Sequence, residues 1–299
     1  LFRSSSSLVP TNDYMFVEGK AIGLVRGFVS EGFYTVNDFR YENGQYILKE
    51  GIPDITKALT ATYMHPFNIP NGQTAFPGAA KFRDVNNSGT VDLDDATCLG
   101  EVMPRHTGSF QLNFNYKNFD LSSNFNWTAG GKVYNVAAMI NASGQEFDGI
   151  GAQRTSWVAD TYKVYNVNSS GDLYAVTDPN ELNALNANAK YHLPYHQSGI
   201  TSSEWLEDGS YLRLQTLTLG YTLPHTVLNK IHIEKLRIYL TATNLFTITG
   251  YSGIDPEVNA TPTGQSGFYS NLRVFPTLNM DFGTYPRART FTLGANITF

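Results

Sequence analysis

Six stretches of this sequence read as long strands, five of them with alternating apolar and polar residues and one mixed and glycine-rich, and the connections between them swing between very short and very long. The stretches are 20–30 (KAIGLVRGFVS), 107–117, 119–131, 211–223, 233–246 and 289–299. In 107–117, Phe110, Leu112, Phe114 and Tyr116 oppose Gln111, Asn113 and Asn115; in 119–131, Phe119, Leu121, Phe125, Trp127 and Ala129 oppose Asp120, Ser122, Asn124, Asn126 and Thr128. A period of two predicts strands with one apolar and one wet face. The connections at 117–118 and 224–232 are brief, whereas those at 31–105, 131–208 and 247–286 are long. Compact soluble domains seldom carry such loops with so little helix. Barrels that span a membrane carry short turns at one end and long loops at the other.

No run of 18 apolar residues is present, which excludes a spanning helix but not spanning strands of about 9–11 residues. In hydrocarbon every backbone N–H and C=O must be paired within the structure, so antiparallel strands closed into a barrel are what remains when helices are excluded. Composition fits that environment. Charged residues make up only 16% of the chain and apolar ones 41%, with 18 Tyr and 19 Phe; Asn, Thr, Ser and Gly supply the polar side. A net charge of -5 without a Lys/Arg cluster gives no footprint for nucleic acid. The single Cys98 precludes an internal disulfide or CxxC site.

The chain opens on LFRSSSSLVPTNDY, which has neither the basic nor the apolar region of a signal peptide. It ends on RTFTLGANITF, with Phe291, Leu293, Ala295, Ile297 and Phe299 on one side. Six strands would leave two open edges. The expectation is therefore an all-β fold: residues 1–299 as the C-terminal segment of a large antiparallel transmembrane β-barrel, completed by N-terminal strands not present here. With Phe299 at the periplasmic end, every long loop faces outward. A soluble sheet domain also alternates, and the second reading is a secreted, calcium-stabilised carbohydrate-binding or adhesion module.

The sharpest local motif is DVNNSGTVDLDD, residues 84–95. Its spacing is that of an EF-hand-like calcium loop, with Asp84, Asn86, Ser88, the Thr90 carbonyl, Asp92 and Asp95 as ligands and Gly89 at the tight turn. Calcium needs many hard oxygens held flexibly around one point. Asp95 stands where Glu is usual, so its arm is shorter, and the flanks with Gly100 and Pro104 do not read as paired helices. The metal expected is a structural Ca2+.

Other groupings are weaker. His192 and His196 have Pro194 between them, which spoils presentation from one helix face. Glu204, Glu207 and Asp208 are neighbours in sequence, and GQSG at 264–267 lacks the spacing of a nucleophile elbow. No constellation predicts an enzyme. The segments WVADTYKVYNVNSSGDLY, KYHLPYHQ and TGQSGFYSNLRVF combine flat rings with neutral amides and hydroxyls, a surface suited to sugar rings or peptide backbone.

Five segments, in order along the chain, resemble the SusC/RagA family of TonB-dependent outer-membrane transporters. They are VEGKAIGLVRGFVSEGFY (17–34), PGAAKFRDVNNSGTVDLDDATCLG (77–100), WLEDGSYLRLQTLTLGYTLP (205–224), LRIYLTATNLFTITGYSGIDPEVN (236–259) and YPRARTFTLGANITF (285–299). The resemblance implies a 22-stranded barrel around an N-terminal plug, with a TonB box upstream. Plug and TonB box are both absent from this sequence. It also implies energy from a TonB–ExbB–ExbD complex, a SusD-like surface lipoprotein as lid, and a large nutrient, oligosaccharide or peptide, as cargo. No substrate-contacting residue carries over.

Overall fold

The computed structural model describes residues 2–3, 14–16, 18–21, 23–57, 59, 65–143, 159–193, 200–228, 233–258, 279–281 and 283–299. The chain divides into two compact units. One comprises Leu1–Glu101, Tyr134–Leu206 and Thr261–Thr277; the other comprises Val102–Val133, Glu207–Ala260 and Leu278–Phe299.

The second unit holds a five-stranded sheet of β1 (His106–Tyr116), β2 (Phe119–Ala129), β3 (Tyr211–Thr222), β4 (Lys235–Thr249) and β5 (Thr290–Thr298). Every pairing is antiparallel and joins neighbours in chain order. The register places the β1–β2 turn, the β3–β4 connection and the end of β5 at one end of the sheet. The longer excursions leave from the other, as the alternating connection lengths predict.

Register also assembles the two faces. Phe114, Leu121, Leu219, Leu240 and Leu293 form one apolar row across all five strands, flanked by Tyr116–Phe119–Tyr221–Ile238–Ala295 and Leu112–Ser123–Leu217–Ala242–Phe291. Much of this face is open: Phe114 is 63% exposed and Leu293 76%. The opposite rows are Asn113–Ser122–Thr218–Thr241–Thr292 and Gln111–Asn124–Thr216–Thr243–Thr290. In sequence, 211–223 switches face partway before Leu217, Leu219, Tyr221 and Leu223 fall into register, and the switch has a local cause. Gln215 is an extra residue between Leu214 and Thr216, opposite the Asn124–Phe125 step of β2. Such a bulge shifts the side-chain parity by one and keeps Leu212 and Leu214 on the face of Leu217 and Leu219.

In the first unit, described residues of the 31–101 and 134–206 stretches share one core. Tyr34, Tyr46, Ile55, Phe76, Phe82, Val91 and Leu182 lie in its core. Two buried tyrosines keep their hydroxyls satisfied on backbone carbonyls: Tyr34 donates to Pro53 at 2.7 Å and Tyr46 to Thr177 at 2.8 Å. The hairpin Phe39–Glu42/Gln45–Leu48 closes on Asn43-Gly44, both with positive φ (52° and 75°), the arrangement a two-residue hairpin turn requires. The short helix Pro179–Leu185 starts on Asp178, whose carboxylate accepts from the Asn180 and Glu181 N–H groups, both at 3.0 Å.

One predicted strand is corrected. Residues 20–30 are not a sixth long strand of the sheet. Leu24–Gly27 pairs with Thr97–Glu101, and Ser30–Phe33 pairs with Ala80–Phe82, both in the first unit. The break falls at Gly27 and Phe28, where the Phe28 N–H donates to the Thr201 carbonyl at 2.8 Å. A Cβ on Gly27 would stand 2.3 Å from that same oxygen. Alternation alone does not reveal that the chain must bend here to meet a remote carbonyl.

Candidate functional site

The sheet's polar face carries few charges, and one of its ion pairs has a definite construction. Asp120 of β2 and Arg237 of β4 meet across β3 as a two-pronged pair, Nε to Oδ1 at 2.9 Å and Nη2 to Oδ2 at 2.5 Å. They reach each other because Gly220 lies between them; a Cβ there would approach the Asp120 carboxylate to 2.4 Å and Arg237 Nη2 to 2.5 Å. The Arg237 guanidinium also stands 5.0 Å from the centre of the Tyr239 ring. That ring covers Gly294 of β5, where a Cβ would meet it at 2.4 Å. Asp120, Gly220, Arg237, Tyr239 and Gly294 thus form one strap over four strands. It uses glycine to admit a neighbour's side chain.

Between the strap and Arg213 the face is neutral. Thr218 and Thr241 share a hydroxyl hydrogen bond at 2.9 Å, Thr243 and Thr290 share another, and Asn126 Nδ2 donates to Gln215 Oε1 at 2.9 Å. Such a surface exchanges hydrogen bonds with a polar solute without imposing a charge.

The 84–95 loop lies in the first unit. Gly89 (φ 85°) and Asn87 (φ 56°) make its bend. Asp84 accepts from the Ser88 N–H through Oδ1 at 3.1 Å and from the Gly89 N–H through Oδ2 at 2.7 Å; Asn86 Oδ1 accepts from Ser88 N–H at 2.8 Å. Ser88 Oγ donates to the Thr90 carbonyl at 2.9 Å, and Asp92 Oδ1 accepts from Asp94 N–H at 2.8 Å. Asp95, 1% exposed, accepts through Oδ1 from Val85 and Asn86 and through Oδ2 from Asp92. It staples the loop's two ends together. Thr90–Val91 pairs in parallel with Asp54–Ile55, which anchors the loop to the unit. Among the described residues, no three His, Cys, Asp or Glu side chains gather as a metal-holding group; the six predicted ligands lie along one bent loop.

The weaker groupings disperse. Glu207 accepts from the Ser252 N–H and hydroxyl, both at 2.7 Å, and Asp208 from the Ser210 N–H and hydroxyl. Glu204 stands 3.8 Å from Nε2 of the buried His192, whose Nδ1 bonds the Leu193 carbonyl at 2.9 Å. His196, GQSG and the TGQSGFYSNLRVF segment lie outside the described residues, as do Trp157 and Val158.

Burial lowers the His192 pKa from 6.5 to about 4 and raises the Glu204 carboxyl from 4.5 to about 7. Between pH 4.5 and 6.5 the folded pair is neutral, while the unfolded pair is a charged histidine and a charged glutamate. Both states then bind one proton, so the two slopes cancel. Glu204→Gln should expose the histidine slope: stability falls as pH drops from 6.5 to 4, by up to about 3 kcal/mol. Thermal unfolding across that range checks it; a flat profile in the variant would show that His192 is not held neutral.

No family model matches the sequence. Among curated proteins, TonB-dependent receptor P3 of Formosa agariphila is 28% identical over 282 residues, covering 94% of this chain and 22% of that protein. TonB-dependent receptor P26 of the same organism is 30% identical over 223 residues, 74% of this chain and 20% of that protein. TonB-dependent receptor SusC of Bacteroides thetaiotaomicron is 27% identical over 225 residues, 73% and 17%. The chain matches a portion of the SusC/RagA-type TonB-dependent receptors. This receptor portion spans about a fifth of the length of those curated relatives. Two solved structures share its fold: the RagAB peptide transporter (TM-score 0.53, 18% identity, 96% of this chain and 24% of that one) and the RagAB peptide importer in its open-open state (0.50, 20%, 100% and 25%). The relatives are receptors and transporters, not enzymes.

The sequence reading passed over the Asp120–Arg237 strap and the residues Arg213, Asp255, Glu257 and Arg287. A signal was available. Arg213, Arg237 and Asp120 are charged residues on the wet side of strands that carry few other charges, and Gly220 and Gly294 interrupt strands rich in Thr and Leu. Glycine in a strand interior marks close approach.

Proposed function

We propose that this receptor portion belongs to a TonB-dependent importer of the bacterial outer membrane, supplying five strands of a barrel wall and its connections. The observation that carries the reading is the apolar face, open across all five strands and centred on Phe114, Leu121, Leu219, Leu240 and Leu293. A soluble protein seldom leaves so continuous an apolar surface uncovered; against lipid it is the stable arrangement. The opposite face, polar with few charges, lines the passage. The cargo is a large nutrient, peptide or oligosaccharide, since either can exchange hydrogen bonds with Thr, Ser, Asn and Gln. The RagAB structures, being of a peptide importer, support a peptide. Opening of the barrel draws on a TonB–ExbB–ExbD complex through upstream segments of the receptor, and a SusD-like lipoprotein covers the outward connections. No covalent step is required. Fractionation of cells producing the full receptor is the test: it should sediment with the outer membrane and need detergent to stay monodisperse. A monodisperse protein in plain buffer would sink the reading.

The 84–95 loop is proposed to hold a structural calcium through Asp84, Asn86, Ser88, the Thr90 carbonyl, Asp92 and Asp95. Its support is the ligand spacing and the bend at Asn87 and Gly89. Calcium should give a saturable calorimetric signal that Asp84→Ala abolishes; no signal at millimolar calcium rejects the metal. Asp95→Ala should open the loop to protease with or without calcium, because three backbone N–H groups lose their acceptor, a loss of about 1–3 kcal/mol.

A further inference from the structure

We propose that Arg213 is a positioning residue that locks the root of the long connection after β4, so that this connection leaves the sheet from one fixed platform. Arg213 stands on the polar side of β3, opposite Thr247 of β4, and is 2% exposed. All three guanidinium nitrogens are engaged. Nε donates to Thr247 Oγ1 at 3.0 Å, Nη1 to Glu257 Oε2 at 3.1 Å and Nη2 to Asp255 Oδ1 at 2.5 Å.

The partners are themselves tied together. Arg287 Nη2 donates to the other Glu257 oxygen at 2.5 Å, and the Glu257 N–H donates to Asp255 Oδ1 at 2.9 Å. Two cations and two carboxylates make a neutral cluster. A guanidinium buried to this degree is tolerated only when paired, and removing one partner strands the other charge. Arginine is suited to the place because its planar fork serves several acceptors at fixed angles, which a lysine ammonium cannot reproduce.

Further ties act on the same short segment. Tyr251 donates its hydroxyl to Asp281 at 2.6 Å, and Ser252 donates to Glu207 through its N–H and hydroxyl. Residues 251–257 are therefore fixed from three directions: strand β3 through Arg213, the approach to β3 through Glu207, and the approach to β5 through Asp281 and Arg287.

The geometry separates positioning from propping up the sheet. Asp255 and Glu257 belong to the connection, not to a strand. The β3–β4 register runs from Tyr211–Thr249 to Thr222–Arg237, so most of its ladder lies away from the cluster. Loss of the cluster should free the connection and spare the ladder. A contribution to capturing cargo rests on the import reading; the clamp itself does not.

The test uses the full receptor in outer membrane, in a background without other cysteines, with a spin label at Ile254→Cys or at Leu293→Cys. Ile254 is 63% exposed beside the clamp, and Leu293 lies on β5. Arg213→Gln should raise mobility of the label at 254 several-fold while leaving the label at 293 unchanged, and Arg213→Lys should fall between. Unchanged mobility at 254 overturns the proposal. So does loosening of both labels together, which would make the cluster a prop for the sheet. If Arg213→Gln fails to assemble, Glu257→Gln removes one arm with Asp255 still paired, and the same two labels decide. Neither label reads transport, so failure of the import reading leaves the outcome intact.

Discussion

Leu293→Arg should weaken the assembled receptor by about 2–4 kcal/mol, the cost of a cationic side chain near the bilayer midplane on the face proposed to meet lipid. Leu293 sits midway along β5 in the row Phe114–Leu121–Leu219–Leu240–Leu293 and is 76% exposed. In a soluble protein, replacing so exposed a leucine with arginine would be harmless or would improve solubility. The adjacent Thr292 points to the polar face, so Thr292→Arg should change stability by only about 0.5 kcal/mol. Urea titration of the two variants in detergent or liposomes reads the contrast. Equal stability would remove the distinction between the faces, and with it the membrane assignment of the sheet.

Gly27→Ala should disrupt the first unit, with a loss on the order of 3 kcal/mol. The added Cβ would lie 2.3 Å from the Thr201 carbonyl oxygen and 2.8 Å from Leu99 Cδ1. Leu99 can rotate. The carbonyl cannot retreat without losing the Phe28 N–H that it accepts at 2.8 Å. Hydrogen exchange should therefore accelerate over 24–27 and 97–101, the two strands that pair there. Gly250→Ala is the control: open space surrounds that position, and its backbone is not left-handed. Similar protection in both variants would show that the chain relaxes around the methyl group, and that Gly27 is not what bends it.

The sheet was legible because strands with one apolar and one polar face write both into one line of sequence. Phe110 to Tyr116 and Phe291 to Phe299 alternate without error, and the long-and-short connections announce the sheet's polarity. What stayed hidden depends on contacts between residues far apart in the chain. Arg213 finds Asp255 and Glu257, and Asp120 finds Arg237, through pairing of strands that no local period encodes. The same holds for Gly27, whose requirement comes from Thr201. The parity change in β3 was visible as an irregularity, but only its register identifies Gln215 as the extra residue. The 84–95 spacing identified a bent acidic loop; the staple made by Asp95 came from the fold.

Between β2 and β3 the chain makes its excursion through residues 130–210, yet the two strands pair along most of their length. Such a non-local pairing would ordinarily be slow to form, because loop closure must precede any reward. The neck of the excursion is where that closure is made. The Gly209 N–H donates to the Gly131 carbonyl at 2.9 Å, the Gly130 N–H to Ser210 Oγ at 2.9 Å, and the Asn135 N–H to the Trp205 carbonyl at 2.8 Å. Once those ends meet, β2 and β3 begin pairing from adjacent residues, as a hairpin does. Closure of the detour is thus met once, at the neck, and the ladder beyond it extends between neighbouring residues.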